Sequence, residues 1–337
     1  MKISRRDFLK AAGAAGIAAM GMMHLRSAGA AVISPDEKDL SSASVARDLS
    51  KCIGCGNCVR VCADVQKIGV YQLYPDPDPA RHGGREYYAN TKNEISLAET
   101  ACINCGQCTK VCPVGALTEK DGLAEARRVL SNQDQYHVVW QIAPSVQNML
   151  GEAHAARPGA DVSRKIASAM KRLGGHAFHT DFAADVTIME EGSELIRRLR
   201  GGGTLPMLTS CCPGWVRYAE MHYPDLLSHV SSTKSPQQIF GALAKSYYAE
   251  KYQVAPDDVY QISIMPCTAK KYECARDEMR DAQGRRQVDL VLTAREFTEL
   301  LAEEHINLNT LDDSEFDRFM QEGSGAARIF GASGGVM

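Results

Sequence analysis

At 337 residues the chain is too long for a peptide or a single small module, since domains run to roughly 100–200 residues, and it can bury more than one core. With 45% hydrophobic and 23% charged residues and a formal charge of −3, it is ordinarily globular rather than disordered or collagenous, and it lacks the basic excess that nucleic-acid binding uses. Twelve cysteines are too few for a disulfide scaffold of this length and too many for casual core filling, so their spacing has to be read.

Ser4-Arg5-Arg6-Asp7-Phe8-Leu9-Lys10 opens the chain, followed by a weakly apolar Ala/Gly/Met stretch from Ala11 to Leu25 and a small-residue site at Ala28-Gly29-Ala30. Residues 1–30 read as an export signal cut near Ala31. A membrane span needs ~20 apolar residues, and this stretch, rich in Gly and Ala and ending in His24 and Arg26, falls short. The motif resembles signals of the twin-arginine route, which carries proteins already folded. That resemblance implies a periplasmic protein, or one on the outer face of the cytoplasmic membrane, whose thiolates remain ligands instead of becoming disulfides.

Residues 31–45 read as a linker, within a polar stretch from Ser34 to Ser50. The domain at 46–125 holds two cysteine runs separated by a Pro/Asp/Gly loop, Tyr74 to Gly84. Cys52, Cys55, Cys58 and Cys62 follow C-x2-C-x2-C-x3-C, and Cys102, Cys105, Cys108 and Cys112 repeat it with Pro113 after the last. Three closely spaced thiolates can wrap one corner of an iron-sulfur cubane, and in two-cluster ferredoxins the fourth cysteine of each run serves the other cluster. A structural zinc site pairs C-x2-C with a distant second pair, so zinc fits this spacing less well. The spacing predicts two 4Fe-4S clusters, one on Cys52, Cys55, Cys58 and Cys112, the other on Cys102, Cys105, Cys108 and Cys62. Ala63 stands where the pattern has Pro, a departure that bears on turn geometry more than on ligation.

From residue 135 to 337 the texture alternates. His137–Ile142, Leu205–Leu208, Tyr260–Met265 and Val288–Leu292 read as strands; Val162–Leu173, Glu190–Arg200, Pro236–Glu250 and Ala294–Glu304 read as amphipathic helices. This predicts an α/β layer with mostly parallel strands, whose ligands collect beyond the strands' carboxyl ends. There Leu208 runs toward Cys211-Cys212 and Met265 toward Cys267.

Thr209-Ser210-Cys211-Cys212-Pro213-Gly214-Trp215 and Met265-Pro266-Cys267-Thr268-Ala269-Lys270-Lys271-Tyr272-Glu273 resemble two signatures of the iron-only (FeFe) hydrogenases, TSCCPxW and MPCxxKxxE. The likeness extends through Ala143-Pro144-Ser145, Thr187 to Glu191, Lys234 to Gln238 and Phe330 to Met337. It implies an α+β ferredoxin-like two-cluster domain followed by an α/β hydrogenase catalytic domain. It also implies reversible oxidation of dihydrogen to protons and electrons at an H-cluster, a 4Fe-4S cubane joined to a di-iron unit. On that resemblance Cys212 and Cys267 are ligands of the cubane, Cys211 is the proton-shuttling thiol, Lys270 holds a cyanide ligand, and Ser145 and Met265 line the di-iron pocket. Glu191 and Glu194, three apart on one helical face, form with Ser231 and Arg198 a proton path. From residue type alone those carboxylates would be a solvated face.

The resemblance further implies hydrogenase maturation proteins and a redox partner such as a cytochrome c or a ferredoxin. The family's third signature, ExMACxxGC, is not found, and no cysteine follows Cys274. This predicts an incomplete H-cluster ligand set, a catalytic domain that stops short of that signature with apolar surface uncovered, and completion by further residues or by a second subunit. The competing expectation is a non-catalytic hydrogenase-like iron-sulfur protein used in electron transfer, sensing or assembly. Cys274 reads as a buried thiol, Trp215 as packing, and Gly201-Gly202-Gly203 as no phosphate loop, since it precedes an apolar run instead of opening a helix.

Overall fold

The computed structural model describes residues 32–154, 157, 160–318, 320 and 323–332. The signal expected at residues 1–30, and Ser333 to Met337 of the last family-like stretch, lie outside the described residues.

Strands β1 (Lys38–Asp39), β2 (Val45–Asp48) and β5 (Leu117–Glu119) form an antiparallel sheet, and β3 (Tyr71–Pro75) pairs with β4 (Tyr87–Thr91) as a hairpin around the Pro/Asp/Gly loop. The Ser34–Ser50 stretch is therefore not a linker. Its Arg47 is fully buried, with Nε and Nη2 donating to Asp39 at 3.0 and 2.6 Å and Nη1 to Asn90 at 2.7 Å. Buried charges are tolerated when paired in this way, which lets a polar-reading segment pack.

The cysteine runs repeat in conformation as well as in spacing. Gly54 and Asn104 sit at φ +71° and +60°, and Gly56 and Gly106, both at +70°, precede the short helices Asn57–Arg60 and Gln107–Val111. Pro113 follows Cys112, and the helix stops there with Cys112 extended. Ala63 imposes no such stop, and the first run continues helically through a π turn at Val61–Val65.

The second half is built on four parallel strands in the order β7-β6-β8-β9: β6 (His137–Ile142), β7 (His176–His179), β8 (Val259–Met265) and β9 (Leu290–Thr293). Both faces are covered, so these strands are near-continuous buried runs. Val138, Trp140 and Ile142 pack into one core with Ile166, Met170, Phe297 and Leu300; Val139 packs into another with Phe178, Phe240 and Tyr248. Each such side chain contributes about 1.5–3 kcal/mol on burial. The chain passes from β6 outward to β7 and returns on the other side of β6 to form β8. In sheets of this kind such a reversal marks the place where ligands gather, here beyond Ile142 and Met265.

Leu205–Leu208 is not a strand of this sheet. Pro206 has no N–H to give a ladder, and Leu208 makes only an isolated parallel bridge to Val230. The helix expected at Glu190–Arg200 spans Asp181–Gly201, and the one expected at Pro236–Glu250 runs as Pro236–Leu243, a π turn at Ala244–Tyr248 and Ala249–Tyr252.

Candidate functional site

Three helices that begin at the candidate residues each start with proline at the first position: Pro144–Ala153, Pro213–His222 and Pro236–Leu243. Proline at N1 loses no hydrogen bond, and its fixed φ starts the helix sharply. Ser145 is thereby set just past β6, exposed, and Cys212 becomes the exposed N-cap of its helix. Met265 ends β8 and is buried; Cys267 follows two residues later. Burial pushes the Cys267 thiol up, against the Ala269 N–H, which pulls it down.

The segment carrying Cys211 is pinned at successive residues. Leu208 N–H donates to His229 O at 2.8 Å and its carbonyl accepts from Ser231 N at 2.6 Å; the Trp215 indole donates to Thr209 O at 3.2 Å. Ser210 Oγ donates to Thr233 O, and Lys270 Nζ donates to Cys211 O at 2.8 Å. Trp215 thus acts as a strut.

Glu191 and Glu194 are both buried on the Asp181–Gly201 helix. Glu194 accepts from Arg198, from Ser231 Oγ at 2.9 Å, and from the Ser232 backbone and hydroxyl, each at 3.1 Å. Burial works to raise its pKa, but these donors, Arg198 foremost, hold it below the ordinary range. Glu191 has the opposite balance: burial pushes it up, only partly offset by the Ser231 hydroxyl and the Ser210 N–H, and the Glu194 charge adds to the rise. Glu191 Oε1 is buried without a hydrogen-bond partner among the described residues. Glu191 therefore lies between Ser231 and Ser210, the residue before Cys211. Arg198 cannot give up its proton and acts as a clamp, its Nη groups donating to the carbonyls of Thr204, Ser228, His229 and Val230.

Glu273 is the partner that residue-level reading passes over, although it is the last letter of the second motif. Its carboxylate accepts from Lys270 Nζ at 3.1 and 3.2 Å, from Ser235 Oγ at 2.9 Å and from Gln237 Nε2 at 2.9 Å. Gln237 in turn accepts from Ser263 Oγ at 3.0 Å through Oε1. Lys270 is thus aimed by a buried network anchored in β8.

Cys52, Cys55, Cys58 and Cys112 border one cavity, together with Leu49, Ile53, Ala89 and Val114. Burial, then the neighbouring Cys52 and Cys55, push Cys58 up to about 12, with Cys112 adding. Burial pushes Cys102 up to about 11; the Asn104 N–H opposes it, and Cys105 and Cys62 reinforce it. Each fourth cysteine therefore sits with the other run. Backbone N–H groups point at the sulfurs as they would at thiolates: Gly54 and Ala89 at Cys52 and Asn104 at Cys102, each at 3.4 Å, and Val70 at Cys62 at 3.3 Å. Four soft donors around a void, with hydrogen bonds to sulfur, fit an iron-sulfur cage. Thr268 Oγ1 donates to Asn104 O at 2.9 Å, which holds the segment after Cys267 against the second cysteine run. Cys274 is a buried thiol donating to Lys271 O at 3.2 Å.

Comparison with known proteins follows these parts. The family model described as iron only hydrogenase large subunit, C-terminal domain, matches residues 136–337; a 4Fe-4S dicluster domain matches 51–116, a 4Fe-4S double cluster binding domain 101–155, and a twin-arginine translocation signal 2–21. The chain is 46% identical over 307 residues to the NADP-reducing hydrogenase subunit HndD of Solidesulfovibrio fructosivorans, covering 89% of this chain and 51% of that protein. It is 46% identical over 198 residues to the periplasmic [Fe] hydrogenase large subunit of Nitratidesulfovibrio vulgaris, covering 58% and 47%. Among solved structures, the apo [FeFe]-hydrogenase HydA1 of Chlamydomonas reinhardtii, variant C377H, is similar at a TM-score of 0.55 and 45% identity, over 61% of this chain and 52% of that one. The chain spans about half the length of the curated relatives it matches.

Proposed function

The chain belongs to the iron-only hydrogenase large-subunit family, and on that premise we propose that it interconverts dihydrogen with two protons and two electrons, working outside the cytoplasm in the direction of uptake. The observation that supports this is the meeting of Cys211, Cys212, Cys267 and Lys270 beyond the central strands, with the second cysteine run bonded to the Cys267 segment through Thr268 and Asn104.

In this reading Cys52, Cys55, Cys58 and Cys112 hold one 4Fe-4S cluster, and Cys102, Cys105, Cys108 and Cys62 hold the other. Cys212 and Cys267 hold the cubane of the H-cluster, with Ser145 and Met265 at its pocket. When bound, the H-cluster supplies the metal site at which dihydrogen is split or formed. The Cys211 thiol takes and returns the proton, and Glu191 exchanges it through Ser231 with Glu194 at the outer end. Arg198 holds Glu194 ionised and in place. Lys270, a compact cation with three donors that Glu273 holds in place, would donate to a cyanide of the di-iron unit when that group is bound. When bound, the clusters held by the second and first cysteine sets would supply a relay for electrons toward a cytochrome c or a ferredoxin. The twin-arginine signal matched at residues 2–21 supports export to the periplasm or the outer membrane face after cluster insertion.

Anaerobic production of the complete enzyme with hydrogenase maturation proteins, followed by dihydrogen-dependent reduction of methyl viologen, tests this. Reduction that vanishes in Cys267→Ser is expected; a protein with its full iron content that neither consumes nor evolves dihydrogen contradicts it.

A further inference from the structure

Tyr71 has no task in that scheme, and its surroundings call for one. It opens β3, is held in register against Thr91, and lies only 4% exposed in a core that also contains Cys58 and Cys108, the buried cysteines of the two runs. Its hydroxyl stands 3.6 Å from Cys108 Sγ, within hydrogen-bond reach for an atom as large as sulfur. A buried phenol needs a partner, and among the described residues this sulfur is the one it has. A free thiol could give or take the shared proton. A cysteine bound to metal has none to give, so toward a ligand the phenol must donate. The internal repeat supplies a control. Gly54 N–H points at Cys52 and Asn104 N–H at Cys102, both at 3.4 Å, so at these matched positions the backbone treats the runs alike. The phenol breaks the likeness, because Cys58, which matches Cys108, accepts from no side chain among the described residues.

We propose that Tyr71 is a redox-tuning residue: its phenol donates a hydrogen bond to Cys108 Sγ and raises the reduction potential of the cluster held by Cys62, Cys102, Cys105 and Cys108 relative to that of the other relay cluster. This rests on the ligand assignment proposed above. Reduction adds one negative charge, part of which falls on the ligand sulfurs, so a fixed donor at one sulfur stabilises the reduced form more than the oxidised one. The direction suits the position. Thr268 Oγ1 bonds this same cysteine run to the Cys267 segment through Asn104 O, so the phenol favours an electron at the run joined to the dihydrogen site. Because the donor lies on β3 and is locked by its ladder with β4, it is in place before any cluster changes its charge.

Redox titration followed by electron paramagnetic resonance, on the anaerobically reconstituted full chain, tests the proposal without any dihydrogen assay. Tyr71→Phe keeps the ring and deletes the donor. It should make one of the two relay clusters about 3- to 10-fold harder to reduce, about 28–59 mV for one electron, and leave the other in place. Tyr71→Leu, which removes the ring as well, should lower the same cluster by no less. 3-Fluorotyrosine introduced at position 71, a more acidic phenol and a stronger donor, should raise it. Unmoved potentials in Tyr71→Phe, an equal shift of both clusters, or a shift in Tyr71→Leu alone would overturn the proposal. If Tyr71→Phe fails to retain iron, the fluorinated protein decides alone: a rise supports the proposal, and no change or a fall overturns it. Absence of two reducible clusters in the unmodified chain would overturn the ligand assignment and the proposal with it, whereas two clusters that do not respond overturn the proposal only.

Discussion

Arg198 grips Glu194 at one oxygen: Nε and Nη2 both donate to Oε1, at 3.0 and 2.6 Å, and leave Oε2 to Ser231 and Ser232. One turn away, Glu191 has a buried oxygen without a partner. Two carboxyls on one helix are thus driven apart in proton affinity, the pattern that separates a proton holder from a proton acceptor.

The sign of each shift gives a pH prediction. Glu194 lies below its ordinary value of 4.5, so its stabilising contribution is complete above that value and is lost as pH falls through the lower folded value. Glu191 lies above 4.5, so it erodes stability as pH rises from 4.5 through its folded value. Glu194→Gln should cost about 2 kcal/mol at neutral pH, from charge-assisted hydrogen bonds weakened, and should flatten the acid side of the stability curve. Glu191→Gln should cost less or stabilise. Urea unfolding across the acid range checks both; equal losses from the two substitutions would contradict the split.

Glu273→Gln should leave the half-buried Lys270 charge without its carboxylate partner, at a cost of about 1.5–3 kcal/mol. In the matured enzyme it should also shift the infrared bands of the cyanide ligands, because Lys270 is then no longer aimed by Ser235, Gln237 and Glu273. Unchanged bands together with unchanged unfolding would remove Glu273 from the account.

Gly54→Ala should be the more damaging of two matched substitutions in the cysteine runs. Its Cβ would stand 2.2 Å from the Tyr87 backbone oxygen, which the β3–β4 ladder holds, whereas a Cβ at Gly106 would meet the Thr268 side chain at 2.3 Å, which can rotate. Both positions also carry the αL strain of about 1–2 kcal/mol. Iron content after reconstitution should fall further for Gly54→Ala; the reverse order would show that the Thr268 contact is the stiffer one.

Much of this was legible because its signals are local. Eight cysteines at ligand spacing, and the runs around Trp140, Ile264 and Leu292, mark cluster sites and buried parallel strands, and β6 spans His137–Ile142 as the pattern predicts. Where a signal depends on distant residues it was lost. Arg47 and Asp39 read as linker polarity because their pairing lies in the fold, and His176–His179 is too short and too polar at its ends to declare a strand. The run Leu205–Leu208 has strand composition, but Pro206 and the pull of Val230 on Leu208 leave a single bridge. The Asp181–Gly201 helix begins before its charged half because Ala183, Ala184 and Thr187 bury a weakly marked face. Among the site residues, Glu273 was visible as a letter of a motif, but its task depends on Ser235 and Gln237 in another helix.

Replacing Arg5 and Arg6 by lysine should hold the protein in the cytoplasm with its iron-sulfur absorption intact, since the twin-arginine receptor reads the guanidinium pair and the clusters are inserted first. Cell fractionation measures it. Normal export of the double-Lys protein would point to a general secretory route and to disulfides among these cysteines.

The most direct test of the dihydrogen site is the turnover of Cys211→Ser in the matured holoenzyme, read beside its infrared spectrum. Lys270 holds the Cys211 carbonyl, and the residue stands between Cys212, the proposed ligand, and Ser210, whose N–H faces Glu191 of the proposed proton path. Losing a positioned proton donor should cut turnover at least ~10²-fold while iron content and ligand bands persist. Turnover equal to that of the unmodified enzyme would contradict the account.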